Sequence, residues 1–132
     1  MFSKNTEKLE SFIGGGTQVK GDIKTKGTLR IDGTVEGNIE ADWIILGDKS
    51  YFKGNASARG IVVGGIIDGN LVAKEIIEIK QKGQVRGDIV TAKLTVAEGG
   101  ILEGRTAMRK DEVKALEFSE EELKEPQTYG GG

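Results

Sequence analysis

The sequence predicts an all-β fold, a single-stranded parallel β-helix (β-solenoid) of about six rungs. The first observation is a recurring phrase: an apolar residue, any residue, Gly, Asp or Asn, and a second apolar residue. The second is the spacing of the phrase glycines, which recur every 15 to 18 residues at Gly21, Gly37, Gly54, Gly69, Gly87 and Gly104. The third is a pair of apolar residues, separated by one residue, after each of the first five phrases: Leu29 and Ile31, Ile44 and Leu46, Ile61 and Val63, Ile77 and Ile79, Leu94 and Val96.

Each repeat is expected to form one coil of short strands. Apolar residues that alternate with period two face one side of a strand, whereas the intervening Lys, Glu, Asp and Arg face the other. Glycines between the apolar runs mark the corners. One coil of about 17 residues cannot bury its apolar side alone, but stacked coils can. Six coils about 4.8 Å apart would form a column roughly 25–30 Å tall.

The phrase glycines and their Asp or Asn neighbours are interpreted as corner chemistry rather than as a binding motif. Glycine permits a bend or a close approach of two backbones where a side chain would clash. Asp and Asn favour turns, and a ladder of these side chains can form hydrogen bonds along the stack. Trp43 and Tyr51 interrupt the polar alternation, and each is interpreted either as a corner residue or as a contact point for a partner.

The chain of 132 residues divides into three parts. Residues 1–16 are predicted to be a flexible N-terminal arm that ends in the hinge Gly14, Gly15 and Gly16. Residues 17–108 form the β-helix domain. Residues 109–132 are predicted to form an acidic, largely disordered tail with four basic and seven acidic residues, a net charge of −3. The body has interspersed charges that nearly cancel, so we expect no nucleic-acid partner.

The composition argues against catalysis. The sequence has no His and no Cys, so common general bases and transition-metal ligands are missing. The carboxylates alternate with Lys and Arg on a solvated surface, which gives no reason for a shifted pKa. A phosphate-binding Gly-Lys-Ser/Thr loop is also missing. We therefore predict a protein that is not an enzyme, with no catalytic residue, cofactor, nucleotide or metal site. The lack of Cys favours a cytoplasmic location.

The two ends of the predicted column are the candidate functional surfaces. Each end exposes unpaired backbone groups and a cross-section of the apolar core, which proteins normally cover. Stacking one copy on another satisfies these groups and produces an open filament. The side chains expected in these junctions are Val19, Ile23, Leu29 and Ile31 at one end, and Leu102, Arg105 and Met108 at the other. Arg105 would weaken assembly if its side chain pointed into the junction.

Two alternatives remain open from the residues alone. One is a monomeric adaptor whose tails cap both ends. The other is a carbohydrate-active β-helix protein, which requires an export signal and a convergent acidic cleft that the sequence does not offer. Two interpretations also remain for the N-terminal residues Met1, Phe2, Ser3 and Lys4. They either insert weakly into a membrane, with many copies acting together, or belong to the arm.

Several runs of residues resemble those of the bactofilins, a family of bacterial cytoskeletal proteins. They are Met1-Phe2-Ser3-Lys4, Gly14-Gly15-Gly16-Thr17, Leu29-Arg30-Ile31-Asp32-Gly33, the repeated phrase itself, and Leu102-Glu103-Gly104-Arg105 with Met108. The resemblance implies a right-handed parallel β-helix and nucleotide-independent, non-polar filaments in which like ends meet. It also implies membrane binding through Met1, Phe2, Ser3 and Lys4 at the inner face of the cytoplasmic membrane. The filament would be a scaffold that localises cell-wall or morphogenesis proteins.

Overall fold

The computed structural model describes residues 9–108 as a parallel β-solenoid, which confirms the predicted fold class. All strands belong to one hydrogen-bonded sheet of 13 strands, and every strand pair is parallel. The strands are β1 (Leu9–Ile13), β2 (Gln18–Lys20), β3 (Ile23–Lys24), β4 (Thr28–Ile31), β5 (Thr34–Glu40), β6 (Trp43–Leu46), β7 (Tyr51–Val63), β8 (Ile66–Ile79), β9 (Gln84–Arg86), β10 (Ile89–Thr91), β11 (Leu94–Val96), β12 (Ile101–Glu103) and β13 (Thr106–Met108).

The chain winds around three faces. Face 1 holds the three residues before each phrase glycine, face 2 holds the segment after it, and face 3 holds the paired apolar residues. The register connects equivalent positions of successive repeats, for example Val35 with Phe52 and then Phe52 with Ile67. Rung one consists of β1, β2 and β3, and rung six of β11, β12 and β13. The long strands β5, β7 and β8 pass around corners between faces, and the pairing of β7 with β8 shifts register once, between Ala58 and Gly60.

The core consists of columns of inward-pointing side chains that run along the axis. In the face 1 column, Val35, Phe52, Ile67 and Val85 are each 0% exposed. Small residues fill the position where the chain leaves face 2, as Ala58 and Ala73 do. Complete burial of one such aliphatic or aromatic side chain stabilises the fold by about 1.5–3 kcal/mol. The core is therefore thin and depends on contact between successive rungs.

The phrase glycines stack into a ladder of their own at the corner between faces 1 and 2. All six have positive φ angles, between 139° and 154°. From Gly37 onward, a Cβ atom at each of them would overlap the carbonyl oxygen of the phrase glycine in the preceding rung. The corner therefore requires glycine for both its backbone conformation and its close packing, as predicted.

The solenoid begins earlier than the sequence indicated. Strand β1 falls within the segment predicted to be a flexible arm (residues 1–16), yet it pairs in parallel with β4, from Leu9 opposite Thr28 to Ile13 opposite Ile31. The physical reason is that Ile13 and Ser11 cover the inner positions of β4, which would otherwise open the core to water. The β-helix therefore starts at Leu9, eight residues before the predicted boundary at residue 17. The predicted tail, residues 109–132, lies outside the described residues.

Candidate assembly faces at the two ends of the solenoid

The N-terminal end of the solenoid is formed by β1, β2 and β3. Among residues 9–108, β1 pairs only with β4, while β2 and β3 pair only with β5. Within this part of the chain, the outer edges of all three strands therefore carry backbone N–H and C=O groups without a strand partner. Such edges are templates for pairing with another chain.

The side chains at this end differ from those predicted. Val19 and Ile23 belong to rung one and are partly buried, as expected of an end face. Leu29 and Ile31, however, are each 0% exposed, because Ser11 and Ile13 of β1 lie over them in the register. Leu29 and Ile31 therefore lie in rung two and not at the end face, which corrects the prediction. Ile13 takes the place of Ile31 at the end face.

The C-terminal end is formed by β11, β12 and β13, which pair only with β8, β9 and β10 among the described strands. Leu102 is partly buried on top of Val85, and Met108 is 50% exposed, so both lie at the end as predicted. Leu94 and Val96, the last apolar pair, also lie here, and Val96 is 45% exposed. The sequence analysis did not include them in the junction, because the sequence alone did not show that each rung begins on face 3.

Arg105 does not occupy the core of the C-terminal end. Its guanidinium lies 3.4 Å from the Asp88 carboxylate in the preceding rung, and its side chain is 87% exposed. In the phrase around Gly104, Arg105 thus occupies the position that Asp or Asn has in the other phrases, and it pairs with Asp88. The condition under which Arg105 would weaken assembly, a side chain directed into the junction, is not met in the free chain.

The Asp and Asn side chains of the phrases form the predicted ladder. The Asn55 side-chain amide donates to Asn38 Oδ1 at 3.3 Å, and the Asn70 amide donates to Asn55 Oδ1 at 3.1 Å. At the two ends of this row, backbone N–H groups donate to side-chain oxygens, from Asn38 to Asp22 and from Asp88 to Asn70. The ladder fixes the register of adjacent rungs, so its residues have a structural role.

An alternating row of charges runs along face 1, at the position before each phrase glycine. In register order its members are Lys20, Glu36, Lys53, Asp68, Arg86 and Glu103. Glu36 and Asp68, two acids of this row, are separated by Lys53. Every carboxylate of the row therefore has a cation beside it, which gives no basis for a pair of catalytic acids.

Trp43 lies in a compact cluster at the corner between faces 2 and 3. Its ring covers Gly60 so closely that a Cβ atom at Gly60 would overlap it. The Arg59 guanidinium lies 5.4 Å from the ring centroid and donates two hydrogen bonds of 2.9 Å to Asp42. A third Arg59 nitrogen lies 3.3 Å from Glu75. Trp43 is thus a packed corner residue with a partly exposed surface.

The same contacts shift two pKa values in this cluster. The hydrogen bonds from Arg59 lower the pKa of Asp42, and the hydrogen bond to Asp42 is the main reason why the pKa of Arg59 is raised. A carboxyl group whose pKa is lowered in the folded state adds stability above its unfolded pKa of about 4. That stability is lost as the pH falls through the lower folded pKa.

We predict that Arg59→Gln lowers the free energy of unfolding by about 1 kcal/mol at neutral pH, because Arg59 joins three rungs but remains about one third exposed. The difference from the parent protein should shrink below about pH 4, as Asp42 becomes protonated. Urea unfolding across this pH range measures both effects. Arg86→Gln is the matched control, since its ion pair spans 3.7 Å and is more exposed. Equal losses in the two variants at every pH would contradict the assigned role of Arg59.

The described part of the chain offers little that resembles a catalytic centre. An open groove of about 610 Å³ runs beside the amide ladder and is lined by residues such as Asn38, Asn55 and Ser57. Within residues 9–108, no group of three or more acidic side chains is arranged to hold a metal ion. In the same range, no helix is long and apolar enough to cross a bilayer.

Comparisons with known proteins agree on one family. The family model Bactofilin, described as polymer-forming cytoskeletal, matches residues 11–107. Bactofilin BacP of Myxococcus xanthus is 26% identical over 97 residues, which are 73% of this chain and 40% of BacP. Bactofilin BacO of the same organism is 26% identical over 106 residues, which are 80% of this chain and 84% of BacO. The chain thus spans less than half the length of BacP but most of BacO.

A solved structure shares the fold. The cryo-EM reconstruction of Thermus thermophilus bactofilin double helical filaments superposes with a TM-score of 0.68 and 24% sequence identity. The match covers 75% of this chain and 99% of the Thermus chain. At this identity the match establishes the solenoid architecture, which agrees with the strand order and register described above.

Proposed function

This chain belongs to the bactofilin family, a family of polymer-forming cytoskeletal proteins, and we propose that it polymerises end to end into nucleotide-independent filaments. We further propose that these filaments lie at the inner face of the cytoplasmic membrane. There they act as a scaffold that localises cell-wall or morphogenesis proteins. In this role the chain is structural and not an enzyme.

The polymerisation proposal rests on the exposed core residues and the unpaired strand edges at the two ends of the solenoid. Inward-pointing residues that are fully buried in the middle of the solenoid become partly exposed in rungs one and six, as Val19 and Leu102 are beside the buried Val35 and Val85. The strand edges beside them lack strand partners within residues 9–108. A second copy satisfies both needs, because it brings strand edges and an apolar cross-section of the same shape.

The charges that flank the terminal glycines are compatible with a junction in which like ends meet. Lys20 and Asp22 flank Gly21, and Glu103 and Arg105 flank Gly104, in each case with opposite signs. When two identical edges pair antiparallel about such a glycine, each cation faces an anion of the other copy, which makes the junction self-complementary. The same charges also fit a head-to-tail stack, where Glu103 meets Lys20. The axial repeat of the filament distinguishes the two arrangements.

The membrane part of the proposal concerns Met1, Phe2, Ser3 and Lys4, which lie outside the described residues. Insertion of the terminal Met and Phe side chains contributes only about 3 kcal/mol per copy, and Lys4 adds a contact with anionic headgroups. A single chain therefore binds a bilayer weakly. A filament carries many copies side by side, so its binding is strong through avidity.

We predict that deletion of Met1, Phe2, Ser3 and Lys4 abolishes co-flotation with vesicles of mixed neutral and anionic lipids while filament formation is retained. A second prediction follows from avidity. A full-length variant that is blocked at one end, such as Leu102→Arg, should float poorly with vesicles although its N-terminus is intact. Equal co-flotation of the parent protein and the deletion variant would rule out the proposed anchor without affecting polymerisation.

A further inference from the structure

We propose that face 3, with the corner between faces 2 and 3, is the side of the solenoid that lies against a lipid bilayer. The inference rests on the proposed membrane role and deepens it, because that role assigns the anchor only to residues 1–4. The folded domain is here given a lipid contact of its own. The surface is called the bilayer-facing surface. Its apolar members are Phe12, Trp43, Ile45, Val62 and Ile76, and its basic members are Lys26, Arg59, Lys74 and Lys93.

The apolar members of this surface lie at outward positions of face 3. The outward row in the middle of the face reads, in register order, Phe12, Arg30, Ile45, Val62, Glu78 and Thr95. The outward row before it holds Trp43 and Ile76, with Gly60 between them. Phe12 is 57% exposed, and the other four apolar side chains are partly exposed. Outward positions of a solvated strand are usually polar, so this group indicates contact with something other than water.

The two charges in the middle row are balanced on face 3 itself. The Arg30 guanidinium lies 3.1 Å from the Asp32 carboxylate, and the Glu78 carboxylate lies 3.5 Å from the Lys80 amine. Trp43, which lies over Gly60 with the Arg59 guanidinium 5.4 Å from its ring centroid, is at the edge of the same face. Tryptophan is enriched at membrane–water interfaces, because its ring is apolar and its N–H is polar.

The corner between faces 2 and 3 has an excess of positive charge. Residues 26–27, 42, 59, 74–75 and 92–93 form this corner, and they include four cations and two anions. Arg59 contacts both anions, Asp42 at 2.9 Å and Glu75 at 3.3 Å. The other three cations, Lys26, Lys74 and Lys93, are exposed. Exposed lysines that border an apolar surface complement the charge of anionic headgroups.

The point where the chain enters the solenoid also favours this side. The first described residue, Leu9, begins β1 on face 3, opposite Thr28. Leu9 follows Lys4 by five positions, so the Cα atoms of these two residues are at most about 17 Å apart. A face of four residues is about 13 Å wide. The N-terminal anchor therefore has little length left for crossing a face, and its insertion draws face 3 towards the bilayer.

Faces 1 and 2 are less suited to a bilayer. Face 1 has the outward residues Tyr51 and Ile66, but the row of six charges runs beside them. Face 2 has outward valines such as Val72, but the amide ladder and three carboxylates share its surface. These carboxylates are Asp22, Glu40 and Asp88. Anionic headgroups would repel them, and contact with lipid would remove water from the amides.

Polymerisation multiplies the contact. In a filament in which β1 and β11 stack on the face 3 strands of neighbouring copies, every subunit presents the bilayer-facing surface to the same side. The surface then recurs about every 29 Å, the height of six rungs. The contact of one subunit is weak, and many of them in a row bind strongly through avidity.

The single tryptophan of the chain, Trp43, gives a direct test. The probe is a vesicle of equal amounts of phosphatidylglycerol and a phosphatidylcholine whose headgroup carries a nitroxide, which quenches tryptophan fluorescence only at short range. We expect Trp43 of the floated full-length protein to be strongly quenched, relative to vesicles without nitroxide.

The control places the tryptophan at the corner opposite face 3. Glu36 is an outward residue of face 1 directly before Gly37, and its side chain is 46% exposed. The double variant Trp43→Phe with Glu36→Trp loses an anion, so it should float with anionic vesicles as well as the parent protein does. Its tryptophan should remain largely unquenched. Thermal unfolding confirms that the variant folds.

The outcomes separate the two proposals. Flotation of the parent protein with Trp43 unquenched, or equal quenching of both reporters, would overturn the bilayer-facing surface and leave the N-terminal anchor in place. Face 3 would then be assigned to a protein partner. A parent protein that does not float would overturn the proposed membrane role itself, and the bilayer-facing surface with it.

A second measurement tests the basic corner. The triple variant Lys26→Gln, Lys74→Gln and Lys93→Gln removes three charges beside the bilayer. Each such charge contributes about fivefold to vesicle affinity, so the affinity per subunit should fall roughly 100-fold.

A variant with the same net charge is the matched control. Lys20→Gln, Lys53→Gln and Arg86→Gln remove three cations of face 1 beside the corner opposite face 3. That corner is about 13 Å from the bilayer, beyond the Debye length of about 8 Å, so the affinity should fall by less than about threefold. Equal losses in the two triple variants would overturn the proposed orientation, because net charge alone would then determine binding.

Discussion

The substitution Gly54→Ala is expected to unfold the protein or to lower its free energy of unfolding by more than about 4 kcal/mol. Gly54 has a φ of 141°, a conformation that residues with a Cβ atom rarely adopt. A Cβ atom there would also overlap the carbonyl oxygen of Gly37. Both atoms belong to backbones held in the middle of the sheet, so neither can move without breaking the pairing of β5 and β7. Circular dichroism and urea unfolding measure the loss.

Gly21→Ala is the matched control for that prediction. Gly21 has nearly the same φ, 139°, but no atom of the described chain lies within 4 Å of a Cβ placed there. Gly21→Ala should therefore lower the free energy of unfolding only by the conformational contribution, about 1 kcal/mol, and the variant should remain folded. A similar loss at Gly54 and Gly21 would show that the stacked glycines are not limited by close packing.

The second large effect is expected from Leu102→Arg, which should stop filament growth without unfolding the subunit. In the free chain the arginine can extend into water, because Leu102 lies at the end of its column. In a filament it would be a buried, unpaired charge that costs about 3 kcal/mol or more. The affinity of the C-terminal junction should fall by more than about 100-fold. Pelleting assays and negative-stain images measure the loss.

The neighbouring residue provides the control. Ile101→Arg places the same charge one position away, where the side chain points outward on face 1 and is 43% exposed, and it should polymerise like the parent protein. Leu102→Arg also reports on polarity. It leaves the N-terminal face intact, so like-to-like assembly yields discrete dimers in analytical ultracentrifugation, whereas head-to-tail assembly yields monomers. Filaments of normal length from Leu102→Arg would contradict a junction at the C-terminal end.

The regular repeats could be predicted from the sequence because one short phrase encodes three properties at once. Gly54 marks the corner, Asn55 marks the ladder, and the apolar residues Phe52 and Ala56 mark the inner sides of faces 1 and 2. The register then follows from matching phrases, as the pairing of Gly54 with Gly37 and Gly69 shows.

The first rung could not be placed in the same way. Strand β1 contains no phrase, and Ser11 occupies the inner position that Leu29 occupies in the next rung. A register shift between Leu9 and Ser11 further hides the period. Because β1 was missed, the N-terminal face was assigned to Leu29 and Ile31, and Leu94 and Val96 were left out of the C-terminal face. The missing pattern in β1 explains both errors, because it hid the fact that each rung begins on face 3.

The contacts of Arg59 also lie beyond local sequence patterns. Asp42 and Glu75 are 17 and 16 residues away from it in the chain. They become neighbours only through the stacking of rungs. The side chains at these corners vary from repeat to repeat, so no periodicity reveals them. The charge row on face 1, by contrast, could be read directly once the phrase glycines were aligned.

The most direct test of end-to-end assembly is a cryo-EM reconstruction of filaments grown from the intact chain without nucleotide. We predict that the stacking of strands about 4.8 Å apart continues across both junctions, with β1, β2 and β3 facing one neighbour and β11, β12 and β13 facing the other. When like ends meet, the axial repeat is two subunits, about 58 Å. Contacts made only through the side faces, or ends covered by residues 1–8 or 109–132, would contradict the account.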